Sequence, residues 1–238
     1  MIEIGGGEGA LSSRLAPEVC KLLVIEIDQD LIPTLIQTLA PFPNAAVLGL
    51  DVLHADLAAI AEPSLSAGAR LRIVGNLPYN IGTAIIEKLL LQRLPIEDMV
   101  FMLQLETAER INAAPGSKDY GFFSVFCQHF CETGLDLKVS PACFVPRPKV
   151  YSAMITLRPR KSSRTPDSDS FFLKLTKAAF AYRRKKLANS LRRNPELGPL
   201  TGAILHHAGI DGTRRAEDLS VEEYEHLAET FRGIIPRT

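Results

Sequence analysis

Two hydrophobic patterns alternate along the first 160 residues. Short apolar runs rich in β-branched residues predict β-strands, and longer stretches with apolar residues three or four positions apart predict helices between them. The predicted strands cover residues 1–4, 22–27, 45–50, 71–75, 99–104, 137–140 and 151–158. The predicted helices lie near residues 9–17, 29–39, 55–61, 82–93, 106–113 and 120–133. This alternation is typical of a mostly parallel α/β sheet with right-handed helical crossovers.

The pattern changes after residue 158. Residues 161–169 have no apolar periodicity and predict a linker. Only helical patterns follow, near residues 170–180, 183–192, 200–208 and 220–233. We therefore predict an α/β domain over residues 1–160 and a small all-α domain over residues 170–238.

Composition excludes several classes of protein. The chain has 238 residues, of which 46% are apolar and 23% charged, enough for a buried core and too apolar for a disordered chain. No apolar run is long enough to span a bilayer, and Met1 leads into a glycine-rich segment without a basic leader, so we expect a cytoplasmic protein. Cys127 and Cys131, with His129 between them, are interpreted as buried thiols on a helix in preference to a zinc site.

The net charge of zero conceals a basic segment. Residues 1–157 carry a net charge of −6, residues 158–193 carry +10, and residues 194–238 carry −4. Dense Lys and Arg favour phosphate binding, because neutralised phosphates release condensed counterions. A solvated linker and helix face would also explain the charges, so charge alone leaves polyanion binding open.

Glycine and acidic residues follow the first three predicted strands. Gly5 and Gly7 precede the first helix, where glycine lets the backbone turn tightly against a ligand, and their spacing also fits the dinucleotide loop of a nicotinamide or flavin enzyme. Glu26 ends the second strand, where a carboxylate can accept hydrogen bonds from a ribose diol. Asp51, after the third strand, has two equal interpretations: an acceptor for an exocyclic amine, or a cap for the helix near residue 55.

The turn Asn76-Leu77-Pro78-Tyr79 follows the fourth predicted strand. Pro78 fixes its own φ and restricts Leu77, so the turn is stiff. The Asn76 side-chain oxygen and a neighbouring main-chain carbonyl can accept both N–H bonds of an aromatic amine, and Tyr79 offers a ring for stacking on a base. Hydride transfer needs no such arrangement, so the turn favours chemistry on a nucleobase amine, with a purely structural turn as the alternative.

These motifs together resemble the S-adenosylmethionine-dependent rRNA adenine N6-dimethyltransferases. The resemblance begins with Glu3-Ile4-Gly5-Gly6-Gly7-Glu8-Gly9, Ile25-Glu26-Ile27-Asp28, Asp51 and Asn76-Leu77-Pro78-Tyr79-Asn80. It continues through 102–111, 120–125 and 141–152 to about residue 231. The stretches 179–191 and 215–220 resemble the bacterial branch that methylates 16S rRNA.

The resemblance implies a fold, a reaction and residue roles. The fold would be a Rossmann-like methyltransferase domain with a mostly parallel seven-stranded sheet, followed by a small all-α domain. The reaction would dimethylate the N6 amines of two adjacent adenosines in the 3′-terminal hairpin loop of 16S rRNA, with S-adenosylmethionine as cofactor, during small-subunit biogenesis. The implied cofactor contacts are Gly5, Gly7, Glu26, Ile27, Asp51, Val52 and Asn76. The implied catalytic residues are Asn76, Leu77, Pro78, Tyr79 and Phe144, with Tyr79 and Phe144 on the two faces of the target base.

The resemblance also assigns the basic segment a partner. We expect a helix with a cationic flank to contact rRNA phosphates, independently of base sequence. The predicted RNA-binding residues are Arg147, Lys149, Arg183, Arg184, Lys185, Lys186, Arg192 and Arg193. The expected partner is 16S rRNA within an immature 30S subunit, and we expect a monomer without a metal or a membrane contact.

Three alternatives remain at this point. Family members usually carry some tens of residues before the first strand, including a segment over the cofactor. A chain that opens inside this strand could therefore be an RNA-binding assembly factor with impaired catalysis. A 23S rRNA adenine methyltransferase is the second alternative, because that branch shares the first motifs. A nicotinamide-dependent oxidoreductase is the third.

Overall fold

The protein divides into two compact units. The structure is a computed structural model and describes residues 1–66, 68, 70–161, 164–182 and 184–234. The first unit comprises Met1–Ala108 and Cys131–Pro159. The second comprises Glu109–Phe130 and the chain from Arg160 onward.

One seven-stranded sheet forms the centre of the first unit. Its strands are β1 (Ile2–Ile4), β2 (Leu22–Glu26), β3 (Ala45–Gly49), β4 (Leu71–Asn76), β5 (Ile96–Gln104), β6 (Cys131–Val139) and β7 (Ser152–Pro159). They are ordered β3-β2-β1-β4-β5-β7-β6. Strands β1 to β5 pair in parallel, whereas β7 is antiparallel to both β5 and β6. The predicted mostly parallel, seven-stranded sheet is confirmed.

Helices follow the first four parallel strands. They are α1 (Ser12–Leu15), α2 (Ile32–Leu39), α3 (Leu57–Leu65) and α4 (Gly82–Leu91). On α2 the apolar residues Leu35 and Leu39, four positions apart, are buried in one cluster with Leu22 and Val24 of the sheet. Each such leucine contributes about 1.5–3 kcal/mol of hydrophobic free energy. The helical spacing in the sequence therefore corresponds to a real packed face.

The register aligns the carboxyl ends of the parallel strands at one edge. Ile4 at the end of β1 pairs with Ile25 of β2 on one side and with Gly75 of β4 on the other. The backbones approach so closely that a Cβ on Gly75 would lie 2.5 Å from the Ile4 carbonyl oxygen. The residues that follow these strands are consequently brought to the same edge, where open α/β sheets bind ligands.

The second unit is helical within the described residues. Its helices are α6 (Phe122–Phe130), α7 (Pro166–Phe180), α8 (Leu187–Leu191), α9 (Thr201–His207) and α10 (Val221–Ile234), and α5 (Leu105–Ile111) leads into it. The ring of His129 stacks on Phe172 with 3.7 Å between centroids. The buried Tyr224 donates its hydroxyl to the Ala216 carbonyl at 2.7 Å. Aromatic packing and satisfied polar groups thus hold this unit together.

The predicted helix over residues 120–133 is wrong at its end. It stops at Phe130, and Cys131 begins β6, where Cys131 pairs with Pro159 and Thr133 with Leu157. Pairing with a central strand outweighs the local helical pattern. Cys127 and Cys131 are both buried as predicted, but only Cys127 lies on a helix.

The compact units also divide the chain at different residues from the predicted domain boundaries. Helix α6 belongs to the second unit, although it precedes residue 160. The predicted linker 161–169 overlaps α7, which begins at Pro166 after a capping box formed by Thr165 and Ser168. Thr165 followed by proline is a helix-start signal that the absence of apolar periodicity obscured. Residues 162 and 163 of that linker lie outside the described part.

The predicted helix over residues 183–192 is shorter than expected. Among the described residues of this range, 184–192, the helix covers Leu187–Leu191. The preceding residue, Lys186, forms an antiparallel bridge with Arg215, and the Leu187 N–H donates to the Arg214 carbonyl at 2.7 Å. These long-range bonds hold the backbone extended at the point where a helix was expected. Across the described ranges, none of the helices is both long and apolar enough to cross a membrane.

Candidate active site

The loop between β1 and α1 is joined to the end of β2. Gly5 and Gly7 have φ angles of +77° and +56°, the left-handed region that favours glycine. The Gly5 N–H donates to the Ile25 carbonyl at 2.9 Å, and the Gly7 N–H donates to Glu26 Oε2 at 2.8 Å. A Cβ built on Gly7 would meet no described heavy atom within 4 Å. The loop therefore has a fixed backbone with open space beside it.

Glu26 is a buried carboxylate with several backbone donors. Its side chain accepts from Gly7, and its Oε1 accepts from the N–H groups of Ile27 at 2.8 Å and Asp28 at 2.9 Å. The residue is only 6% exposed. A carboxylate offers about four acceptor positions, so one remains for an external donor. Ile27 beside it is 59% exposed, a large apolar side chain left uncovered at the sheet edge.

Glu3 is a second carboxyl at this corner that the sequence analysis did not single out. It lies in β1, is 1% exposed, and its Oε2 has no hydrogen-bond partner among the described residues. Burial raises the pKa of the Glu3 carboxyl to about 7, with a further contribution from the nearby Glu26 charge and an opposing one from Ser12. An acidic residue between two strand isoleucines was the available sequence signal.

Asp51 forms a turn after β3. Its Oδ1 accepts from the Leu53 N–H at 2.8 Å, and its Oδ2 lies 2.8 Å from Nδ1 of the exposed His54. The N–H groups of His54 and Ala55 both donate to the Asp51 carbonyl at 3.0 Å. The cap of α3 is Asp56, which accepts from the Ala59 N–H. The interpretation of Asp51 as the cap of that helix is therefore wrong.

A lysine of helix α4 donates hydrogen bonds to the turn that follows Asp51. Lys88 Nζ donates to the carbonyls of Leu53 at 2.8 Å and Ala55 at 2.7 Å. The neighbouring Val52, predicted to contact the cofactor, is buried with 6% exposure. Sequence reasoning missed Lys88, because nothing in a helix pattern shows which distant carbonyls a lysine will reach.

The turn after β4 keeps two oxygen acceptors available. The Leu77 N–H donates to the Met102 carbonyl at 3.1 Å, and the Pro78 carbonyl accepts from the Gly82 N–H at 2.9 Å, where α4 begins. Within the described ranges, no hydrogen bond reaches the Asn76 side chain or the Leu77 carbonyl. These two are the acceptors that the turn leaves for a ligand.

The five predicted catalytic residues meet in one groove. Its volume is about 280 Å³. It is lined by Asn76, Leu77, Pro78, Tyr79, Phe144, Val145, Pro146 and Pro148. The Tyr79 hydroxyl lies 2.7 Å from Oγ of the buried Ser152, the first residue of β7. Ser152 lies in the motif over residues 141–152, but no role was predicted for it, and its contact with Tyr79 appears only in the structure.

The predicted RNA-binding residues that the structure describes are all exposed. They are Arg147 and Lys149 in the loop between β6 and β7, Arg184, Lys185 and Lys186 before α8, and Arg192 and Arg193 after it. Arg183 lies outside the described residues. The expectation that residues 183–186 lie on the cationic flank of a helix is wrong for Arg184, Lys185 and Lys186, which precede α8. The Arg193 guanidinium lies 4.7 Å from the centroid of the Tyr182 ring.

Metal chemistry has no evident site in the part of the chain that the structure describes. No group of three or more His, Cys, Asp or Glu side chains there is placed to hold a metal ion.

Sequence comparison identifies the family. The model of the family described as "Ribosomal RNA adenine dimethylase" matches residues 1–232. The chain belongs to this family. The predicted family and enzyme class are confirmed.

Two curated relatives match almost the whole chain. Both are named "Ribosomal RNA small subunit methyltransferase A", one from Bacillus mycoides (strain KBAB4) and one from Bacillus cereus (strain B4264). Each is 42% identical over 233 residues, which is 95% of this chain and 80% of the relative.

Solved structures support the fold assignment. A dimethyladenosine transferase from Plasmodium falciparum superposes with a TM-score of 0.82 at 24% identity, covering 98% of this chain and 89% of that one. The 23S rRNA methyltransferase ErmE superposes with a TM-score of 0.69 at 28% identity, covering 97% and 90%. The predicted fold class, a methyltransferase sheet with an appended helical part, is confirmed.

Proposed function

We propose that this protein dimethylates the N6 amines of two adjacent adenosines in the 3′-terminal hairpin loop of 16S rRNA, using S-adenosylmethionine. The observation that carries the proposal is the turn after β4, where the Asn76 side chain and the Leu77 carbonyl face no described partner in the groove that contains Tyr79 and Phe144. The small-subunit names of the Bacillus relatives favour 16S over 23S rRNA. An immature 30S particle in the cytoplasm is the corresponding substrate.

The residues at the sheet edge fit S-adenosylmethionine. Gly7 leaves room for the ligand, and Glu26 retains an acceptor position suited to a ribose hydroxyl. The Asp51 carboxylate would accept from the adenine amine beside Val52, and the exposed Ile27 offers an apolar surface to the ring. When bound, the cofactor supplies an electrophilic methyl group on a sulfonium.

Positioning is the main catalytic task of this site. The N6 nitrogen of adenine is a poor nucleophile because its lone pair is delocalised into the ring. Acceptance of both N–H bonds, by Asn76 Oδ1 and the Leu77 carbonyl, favours a pyramidal nitrogen with its lone pair directed at the methyl group. In-line displacement then depends on orientation and fixed dipoles and does not require a strong base. The N–C bond would form as the S–C bond of the sulfonium breaks, which would leave a neutral thioether, and the methylated nitrogen would then release its extra proton to water.

Aromatic residues would hold the target base. A loop adenine is unpaired or can be turned out of its stack at a cost of a few kcal/mol. Stacking on Tyr79 and Phe144 offsets that cost by about 1–3 kcal/mol per ring. The hydrogen bond between the hydroxyls of Tyr79 and Ser152 would keep one of these rings in a defined orientation.

The exposed basic residues would supply sequence-independent RNA contacts. Arg184 and Lys185 lie in the segment before α8, and Arg192 and Arg193 follow that helix. Binding to phosphates through these side chains would position the particle while the groove selects the base. We expect the affinity for rRNA to fall steeply as salt rises.

A labelling experiment tests the proposal. The purified protein is incubated with tritiated S-adenosylmethionine and 30S particles that lack the modification, with modified 30S particles and unmodified 23S rRNA as matched controls. We expect label only in unmodified 16S rRNA, recovered as N6,N6-dimethyladenosine. Label confined to 23S rRNA would overturn the substrate assignment. Particle binding without cofactor binding or label would instead support an assembly factor.

A further inference from the structure

Lys88 is the side chain that connects helix α4 to the turn after β3. Its Nζ donates to the Leu53 carbonyl at 2.8 Å and to the Ala55 carbonyl at 2.7 Å. Both bonds come from a charged donor and are correspondingly strong. The lysine is half-buried, so its ammonium is partly shielded from competing water.

The other hydrogen bonds within this turn are short-range. The Asp51 carboxylate accepts from Leu53 and contacts His54, and the Asp51 carbonyl accepts from His54 and Ala55. These bonds shape the turn from within, and the Leu50 N–H at its start donates to the Glu26 carbonyl at the end of β2 at 3.1 Å. The two bonds from Lys88 attach it to a long element packed on the sheet.

The same helix begins at the turn that would hold the target amine. The Gly82 N–H, at the start of α4, donates to the Pro78 carbonyl at 2.9 Å. Six residues later the helix presents Lys88 to the Asp51 turn. One rigid element thus supports both the turn after β3 and the turn after β4.

We propose that Lys88 is a positioning residue for the adenine subsite of the cofactor. By holding the carbonyls of Leu53 and Ala55, it keeps the Asp51 carboxylate aimed at the exocyclic amine of the cofactor's adenine. Lys88 itself touches neither the cofactor nor the reacting atoms. This inference rests on the proposed function and deepens it by assigning a residue to cofactor selectivity.

The test compares two cofactor analogues in calorimetric titrations. S-adenosylhomocysteine carries the exocyclic amine, and S-inosylhomocysteine has a carbonyl in its place. We expect the wild-type protein to prefer the adenosine analogue by about tenfold, the value of one hydrogen bond to a charged group. Lys88→Met should reduce that preference to about twofold or less, and Lys88→Arg should restore most of it, because arginine can also donate to two carbonyls.

The ratio of the two affinities distinguishes a loss of positioning from a general loss of structure. Damage to the fold weakens the binding of both analogues alike and leaves their ratio unchanged. Lys174→Met is the matched control, since it removes a lysine of α7 that pairs with Glu196, and both of these residues belong to the second unit. It should keep the wild-type ratio. A wild-type ratio in Lys88→Met would overturn the inference while leaving the proposed function intact. Failure of the wild-type protein to bind either analogue would overturn the proposed function itself.

Discussion

Strands β2 and β4 end at Glu26 and Asn76, at two corners of the sheet edge. The two corners differ in whether the protein itself supplies hydrogen-bond partners for their polar groups. The Glu26 carboxylate accepts from three backbone N–H groups. The Asn76 side chain and the Leu77 carbonyl accept from none of the described residues. Removal of Glu26 therefore leaves the protein's own donors unpaired, whereas removal of Asn76 deprives only a ligand. Under the proposed function, the first corner builds the cofactor pocket and the second binds the substrate.

The largest expected effect comes from the second corner. Asn76→Ala should lower the rate of methyl transfer by about 10²–10³-fold, the usual cost of removing one fixed polar group from a reacting centre. The free energy of unfolding should change by less than about 0.5 kcal/mol, because no internal hydrogen bond is lost. Single-turnover labelling and urea unfolding measure the two quantities. A stability loss as large as the activity loss would erase the contrast between the corners.

Glu26→Ala should lower both the stability of the protein and its affinity for the cofactor. It leaves the N–H groups of Gly7, Ile27 and Asp28 without their acceptor, so the free energy of unfolding should fall by about 2–3 kcal/mol. Binding of S-adenosylhomocysteine should weaken as well. Glu26→Gln is the matched variant, since it keeps one acceptor oxygen and should lose less stability. Unchanged stability in Glu26→Ala would show that water replaces the carboxylate fully.

Glu3 adds a third case to the comparison, a buried carboxyl whose Oε2 has no hydrogen-bond partner among the described residues. Its pKa is raised from 4.5 to about 7, so the folded state binds the proton more tightly than the unfolded state. The free energy of unfolding should therefore fall as pH rises from about 4.5 to about 7, by on the order of 2 kcal/mol, and level off above that.

Glu3→Gln should flatten this part of the stability profile, because the amide does not titrate. Thermal unfolding across pH 4.5 to 8 gives the comparison. A variant that keeps the slope of the wild-type protein would assign the pH dependence to another group.

The smallest expected effect concerns the bond between Tyr79 and Ser152. Tyr79→Phe keeps the stacking ring and removes one hydrogen bond, so the KM for the particle should rise by about two- to tenfold. Ser152→Ala should act similarly, and the double variant should cost no more than either single one, because both remove the same bond. Additive effects would mean that the two hydroxyls act separately.

Several features of the site were predictable because parallel strands impose a simple rule. Residues that end or follow β1, β2, β3 and β4 must meet at one edge, so Gly5, Glu26, Asp51 and Asn76 could be grouped from their sequence positions alone. Their individual roles stay predictions. The sequence predicted that the Asn76 side chain and a neighbouring main-chain carbonyl would be available as acceptors. It did not predict that the Pro78 carbonyl would accept from the Gly82 N–H.

Other features depend on partners far apart in the chain. Cys131 continues a helical pattern and yet lies in a strand, because Pro159 pairs with it. Lys186 was expected in a helix, but its bridge to Arg215 keeps it outside. Lys88 and Ser152 acquire their roles only through contacts 33 to 73 residues away.

The sequence by itself determined the order of the strands and helices, the glycine and acidic residues at the strand ends, and the stiff turn at Pro78. Periodicity, glycine and proline act through the local backbone, and their consequences can be derived without knowing what lies opposite. The tertiary structure decided which polar groups are already satisfied and which remain for a ligand. A hydrogen bond depends on two groups meeting at about 3 Å, and only the folded chain brings them together.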